Sequence, residues 1–296
     1  MQLDDYQKHA NKTEQMPLNG KEDIESILLP ILGLAGEVGS LSTQFKKFIR
    51  DGEAFQIFKE KISEELGDIL WYVSAIATKQ NLSLEEIASS NLRKISDRWH
   101  SQSSTMSGKK LFDSDLDANE QFPRVFELKV ITSKDINNVP HVQLFNGVQQ
   151  VGSELTDNAY IDDGYRLHDV FHLSFMTFLG WSPVMRKLFN CKRRSNKLLD
   201  ENEDGGRAKV IDEAIAAIIF IEAKNNNYFE GIETIEYGIL RTIKDLTAHL
   251  EVNRCSMKEW EDAILMGFKV WRQLKVSQNG IIKGDLNNRT LEFFPN

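Results

Sequence analysis

The chain of 296 residues sets 36 Lys and Arg against 44 Asp and Glu, a net charge of −8, and that acidic balance excludes a general nucleic-acid binder, which displaces counterions with a basic surface. An apolar share of 41% beside 27% charged residues describes a soluble globular chain rather than a disordered one, long enough for two domains of ordinary size. Cys191 and Cys255 are too few for a disulfide framework or a thiolate zinc centre, the polar start Gln2, Asp4, Asp5 and Gln7 is no secretory signal, and no uninterrupted apolar run approaches membrane-spanning length; a cytoplasmic protein without a membrane partner is expected.

In chain order, apolar positions recurring at three and four residues predict helices at about 4–15, 23–50, 55–79 and 84–99. Asn81 marks a break and Ser83 an N-cap, with Glu86 three residues on completing a capping box. The small polar residues from His100 to Gly108 read as part of a linker over 101–118. Two β-type runs, Arg124 to Thr132 and His141 to Val151, flank Asp135-Ile136-Asn137-Asn138-Val139-Pro140 and predict a hairpin at the start of a second domain. Helical periodicity returns at about 160–179, 183–190, 207–225, 231–251 and 256–277, and residues 280–283 and 289–294 bracket a terminal hairpin. The expected fold is mainly α: a helical domain over 1–100, then a mostly helical domain with small β-hairpins over 119–296.

The most informative local feature is Glu64-Glu65-Leu66-Gly67-Asp68-Ile69-Leu70-Trp71-Tyr72, preceded on an earlier helix by Gly36-Glu37-Val38-Gly39. Glu65 and Asp68 lie side by side at three-residue spacing, while Leu66, Ile69, Leu70 and Val73 are expected to form the buried stripe beside them. Carboxylates crowded at the edge of a core repel one another, and a hard cation such as Mg²⁺ neutralises them best. Solvated faces of amphipathic helices carry the same spacing without any metal, so the acids alone leave both readings open.

The stretches Leu32-Gly33-Leu34-Ala35-Gly36-Glu37-Val38-Gly39 and Glu64-Glu65-Leu66-Gly67-Asp68, linked through Lys46, Lys47 and Arg50-Asp51-Gly52, resemble the MazG family of all-α nucleoside triphosphate pyrophosphohydrolases. Ser83-Leu84-Glu85-Glu86-Ile87-Ala88 and Asn91-Leu92-Arg93-Lys94 continue the resemblance, which covers about the first third of the chain. It implies a four-helix bundle in which Glu-x-x-Glu and Glu-x-x-Asp pairs hold Mg²⁺, with Mn²⁺ as the alternative, against a triphosphate. Glu37, Glu65 and Asp68 match that pattern, whereas Ser40 stands where the second acid of the first pair belongs. Also implied are cleavage between the α and β phosphates, nucleotide contacts from Asn91 and Lys94, and assembly as a homodimer or higher even oligomer.

Around this core of the resemblance, Glu64 is the candidate general base, although a neighbour of Glu65 points about 100° around the helix. Lys47 and Arg50, with Lys46, either steer phosphate or complement a helix C-terminus. Of Trp71 and Tyr72, one is available to stack on a base, and Trp71 is expected to pack in the core. Nucleotide-pool control under stress or phage infection is the biological role that fits such an enzyme. A nucleotide sensor that lost catalysis at Ser40 is the alternative.

The second half carries Tyr165-Arg166-Leu167-His168-Asp169-Val170-Phe171-His172. His168 and His172, at i,i+4, project from one helix face as metal-binding histidines do, and Asp169 with Asp212 or Glu213 would complete a second metal site. A buried, hydrogen-bonded histidine pair is the competing reading. Arg186, Lys187, Lys192, Arg193, Arg194 and Lys197 form a basic patch that either attracts phosphate, with Arg166 and Arg207 adding bidentate contacts, or pairs with the acidic run Asp200-Glu201-Asn202-Glu203-Asp204. This half looks like the C-terminal extension of some MazG-like proteins. A metalloenzyme centred on its histidines is a further alternative.

Overall fold

A computed structural model describes residues 1–14, 24–99 and 110–296, so the first half of the segment read as a linker, 101–109, lies outside the described residues. The chain divides into two compact units, Met1–Ile95 and Ser96–Asn296. The first unit is built from helices α1 (Leu3–Asn11), α2 (Ile24–Asp51), α3 (Phe58–Lys79) and α4 (Leu84–Trp99), the last of which runs four residues into the second unit. α2 and α3 form an antiparallel hairpin closed by an aromatic cluster, with Phe48 stacked on Phe58 at 4.3 Å and Phe45 edge-on at 5.3 Å. Asn81 takes a left-handed backbone and ends α3.

The start of α4 differs from a simple capping box. Ser83 Oγ accepts from Glu86 N–H at 3.1 Å, but its hydroxyl donates to Asp4, and Asp4 and Gln7 of α1 accept from Glu85 N–H and Leu84 N–H. Orphan donors of one helix are thus satisfied by side chains of another.

α2 also departs from the sequence expectation about membrane-length runs. The segment Ser26–Ala54 is long and apolar enough to cross a membrane by length and composition, and only 11% of its apolar window is buried. Leu32, Ile49 and Val38 on α2, Leu66 on α3 and Leu92 on α4 stand exposed. An apolar surface of that extent marks a face awaiting a partner or a bilayer.

The second unit packs helices against one sheet. β1 (Val125–Lys134), β2 (Pro140–Asn146), β3 (Gln149–Leu155), β4 (Gly280–Asp285) and β5 (Thr290–Pro295) form an antiparallel sheet in the order β3-β2-β1-β4-β5. The run expected as one strand from His141 to Val151 is two, because Gly147 at φ +60° and Val148 make a two-residue turn between Asn146 and Gln149. The C-terminal hairpin joins the sheet through β4, which pairs with β1 in the register Leu128 to Ile282. On β1, Phe126, Leu128 and Val130 alternate into the core.

The helices are α5 (Asp169–Leu179), α6 (Pro183–Leu188), α7 (Lys197–Asn202), α8 (Gly206–Asn225), α9 (Tyr237–Leu246) and α10 (Met257–Ser277). Every residue of α5 is buried, and α5 packs along α10 through Phe171, Phe268, Trp260 and Phe175. The helix expected over 160–179 begins only at Asp169. Gly164 is left-handed at φ +87°, Asp163 caps Tyr165 N–H at 3.1 Å, and Asp157 holds Arg166 N–H at 2.7 Å, which turns the preceding residues into a loop and a 3₁₀ turn. The helix expected over 231–251 shrinks to α9 because Gly231 is left-handed and Ile235 N–H is taken by Glu261 at 2.7 Å. Short α7, which periodicity does not predict, is nucleated by Asn196 accepting from Leu198 N–H and Leu199 N–H.

Candidate functional site

In the first unit, Glu37 projects from α2 toward Glu65 and Asp68 of α3. Partial burial, then the negative charges of Asp68 and Glu65, push its carboxyl above the usual range. Gln44, two turns after Glu37 on the same face of α2, donates to Glu65 Oε1 at 2.8 Å and fixes its rotamer. Tyr6 of α1 lies near enough for the Asp68 charge to raise its hydroxyl further after burial. These acids therefore share a field, yet their oxygens do not close to metal-ligand separations: among the described residues, the group of three ligand atoms within 4.8 Å of one another is His168, Asp169 and His172.

Beside Asp68 opens a cleft of about 550 Å³ lined by Thr13, Glu14, Leu29, Pro30, Trp71 and Tyr72. Trp71, expected in the core, is instead only partly buried and forms the cleft wall; its indole N–H donates to Thr13 Oγ1 at 2.8 Å and its ring meets Tyr72 edge-on at 5.0 Å. Gly33 of α2 admits the Tyr72 ring, since a Cβ there would stand 2.2 Å from Tyr72 Cε1.

The remaining first-unit residues are spread out. Glu64 is exposed and accepts from Lys61 at 2.6 Å. Arg50 pairs with the adjacent Asp51 at 2.7 Å, and Lys47 is exposed on the last turns of α2. Asn91 and Lys94 line a different, shallower cleft of about 400 Å³ with Ser83, Glu86 and Ser90. Within one chain, that cleft and the one beside Asp68 have no lining residue in common.

In the second unit, His168, Asp169 and His172 do come together. His172 is fully buried, its Nδ1 2.8 Å from Asp212 Oδ1 and its Nε2 3.3 Å from Glu213 Oε2. His168 Nε2 stands 3.7 Å from Glu213 and 3.9 Å from Asp169, while its Nδ1 bonds the Tyr165 carbonyl at 2.9 Å. Asp212, at 0% exposure, also accepts from Ser182 Oγ at 2.6 Å and Val184 N–H at 3.1 Å. Burial opposes charge on His172, but Asp212, then Glu213 and Asp169, pull its pKa up to about 10. The sequence pattern pointed to the histidines; Ser182, which supports Asp212 and also caps α6 through Met185 N–H, carries no signal short of the fold.

Half of the basic patch, Arg186, Lys192 and Arg193, is taken up by acids within the second unit, while Lys187, Arg194 and Lys197 stay exposed. Arg193, expected among the ligand-binding residues, is fully buried and pairs with Asp204 at 2.8 Å and Glu251 at 2.7 Å. Arg186 joins Asp113 at 3.1 Å and lies over the Phe122 ring, and Lys192 pairs with Asp200. Arg166, also expected to reach a phosphate, is spent on Asp157 at 2.9 Å and Asp162 at 2.6 Å. Buried guanidinium groups must be neutralised, and the acids closest in space win. Arg207 remains exposed on the first turn of α8.

Comparison with known proteins matches residues 107–296 to the MazG C-terminal domain and residues 28–101 to the MazG nucleotide pyrophosphohydrolase domain. The Gene 37 protein of Mycobacterium phage L5 is 35% identical over 101 residues, covering 33% of this chain and 89% of the phage protein. No solved structure matches the chain.

Proposed function

Because the chain belongs to the MazG family, with a nucleotide pyrophosphohydrolase domain followed by a MazG C-terminal domain, we propose that its first unit hydrolyses a nucleoside triphosphate or related nucleotide between the α and β phosphates, yielding the monophosphate and pyrophosphate. The observation that supports this reading is the shared field of Glu37, Glu65 and Asp68 beside a cleft walled by two aromatic rings. Three mutually repelling carboxylates are the donor set of a hard cation, so these residues would hold Mg²⁺, or Mn²⁺ in its place. When bound, such an ion neutralises phosphate oxygens and acidifies a water. Gln44 would steady Glu65 for that role through its hydrogen bond to Oε1. Trp71 and Tyr72 offer the faces on which a base stacks. Glu64 becomes available as proton acceptor once its bond to Lys61 opens.

The apolar exposure of Leu32, Val38, Ile49 and Leu66 supports assembly as a homodimer or higher even oligomer in the cytoplasm rather than insertion in a bilayer, because Glu37 sits midway along α2. Assembly also supplies a route for the Asn91 and Lys94 cleft, and for Lys47 and Arg50, to face a neighbour's acids. Nucleotide depletion during stress or phage infection is the cellular role proposed for this activity.

The test incubates the purified chain with a nucleotide panel and Mg²⁺ and follows pyrophosphate. Release is expected, with loss of about 10²-fold or more in Glu65→Gln and Asp68→Asn variants of unchanged helicity. Tight nucleotide binding without pyrophosphate release refutes the reading and makes the chain a sensor in which Ser40 marks the missing ligand.

A further inference from the structure

We propose that the second unit binds a divalent transition-metal ion between α5 and α8, ligated by Nε2 of His168, Nε2 of His172 and the carboxylates of Asp169 and Glu213. This inference is independent of the nucleotide chemistry assigned to the first unit.

The argument starts from hydrogen-bond accounting. His168 Nδ1 meets the Tyr165 carbonyl at 2.9 Å, and a carbonyl only accepts, so the proton sits on Nδ1. His172 Nδ1 meets Asp212 Oδ1 at 2.8 Å, and Asp212 already accepts from Ser182 and Val184, so its carboxylate serves as an acceptor throughout. Both imidazoles thereby keep a proton on Nδ1 and turn Nε2 toward Glu213, and the second proton that the neighbouring acids hold on His172 is the one a metal ion displaces on binding. Facing these nitrogens are Glu213 Oε2, at 3.3 Å from His172 and 3.7 Å from His168, and Asp169 Oδ1, at 3.9 Å from His168. The ligand atoms of His168, Asp169 and His172 lie within 4.8 Å of one another with Glu213 Oε2 against both imidazoles, and a divalent cation neutralises the carboxylates while taking both nitrogens.

The separations suit an ion. Two ligands at about 2.1 Å from a common centre stand about 3.0 Å apart at a right angle and about 3.4 Å apart at the tetrahedral angle. The 3.3 Å separation lies within that span and those of 3.7 and 3.9 Å lie just outside it, so small side-chain movements bring these ligands onto one ion. The support behind the ligands is of the kind metal centres use: Asp212 at 0% exposure and the Tyr165 carbonyl fix the two tautomers, and Tyr165 stacks flat on His168 at 4.6 Å. His172 is sealed from water, while Glu213 is 48% exposed, which leaves one open side for solvent or a small ligand.

Paired imidazoles with two carboxylates favour Mn²⁺, Fe²⁺, Co²⁺ or Zn²⁺ over Mg²⁺, which takes oxygen ligands and keeps its waters. The first-unit acids have no nitrogen donor, so the two sites are separable by metal preference.

Co²⁺ is the probe, because its visible absorption reports nitrogen and carboxylate ligation directly. In the full chain carrying Glu65→Gln and Asp68→Asn, one equivalent of Co²⁺ is expected to give a visible band that survives a hundredfold excess of Mg²⁺. Glu213→Gln, at the exposed edge of α8, and His168→Ala are each expected to abolish it or weaken Co²⁺ affinity by at least tenfold. Asp212→Asn keeps all four ligands and is expected to weaken affinity by about 10–100-fold through His172 alone. Absence of a band from the folded chain, displacement of Co²⁺ by Mg²⁺, or an unchanged affinity in folded Glu213→Gln overturns the proposal. In that case the cluster holds only a proton.

Discussion

Replacing Arg193 by Met separates a structural guanidinium from a ligand-binding one. Met fills much of the same space without charge, leaving Asp204 and Glu251 to face each other in the interior of the second unit. Breaking a buried pair from one side costs about 3–5 kcal/mol. Asp204 keeps the Arg193 backbone N–H at 2.8 Å and Arg186 at 3.5 Å, and Glu251 is 13% exposed and reachable by water. Those residual partners place the loss toward the lower end, at about 3–4 kcal/mol. With a urea slope of about 2 kcal/mol/M for a unit of this size, the midpoint should fall by about 1.5–2 M. The buried Trp181, Trp260 and Trp271 report this unit's unfolding by fluorescence. Arg193→Lys keeps the charge but loses the fork that meets two carboxylates, so an intermediate shift is expected. A midpoint displaced by less than about 0.5 M, accompanied by lost phosphate binding, would refute the reasoning and return Arg193 to a ligand-binding role.

Gly33→Ala should leave stability within about 1 kcal/mol, since the helix gains propensity while only the far end of Tyr72 must move; nucleotide affinity measured by calorimetry should nevertheless drop, and an unchanged affinity would remove Tyr72 from the binding cleft. Glu120 accepts from Ser195 N–H at 2.7 Å and from the Ser195 hydroxyl, which holds its carboxyl below the usual range. The folded state therefore binds this proton less readily than the unfolded one, so the stability it contributes is present above its ordinary value near 4.5 and is lost as pH falls through the depressed value. Glu120→Gln should flatten that acid limb in pH-dependent urea melts, and an unaltered limb counts against the assignment. Burial pushes the Cys191 thiol up to about 11 against the opposing pull of Arg186, so native protein at pH 8 should resist alkylation there until denaturant is added. Rapid labelling of Cys191 in folded protein would show the core around it to be open.

Much of the architecture was legible because it is local. Three- and four-residue periodicity places α2, α3, α4, α8 and α10 within a few residues of their ends, since an amphipathic repeat is a local signal whether its stripe is buried, as in α8 and α10, or left largely exposed, as in α2. The acid spacing of Glu65 and Asp68 and the i,i+4 pair His168 and His172 are equally local, being consequences of helical pitch. Where a single long-range bond decided, the pattern misled. Asp157 and Asp163 unwound the residues before Asp169, and Glu261 claimed Ile235 N–H. Trp71 looked like core from its neighbours and became a cleft wall, while the adjacent Tyr72 packs over Gly33 of α2.

What the linear order of residues determined by itself was helical content, the acids on two neighbouring helices and the family to which the chain belongs, because pitch and motif spacing need no distant partner. What only the tertiary structure decided was which charges are free to act. Arg166 and Arg193 are consumed by Asp157 and Asp204, whereas His168 and His172 meet Glu213 from a helix some forty residues on in the chain. Low-dielectric surroundings make each buried charge seek its nearest counter-charge, and nearness in space is set by packing, not by order along the chain.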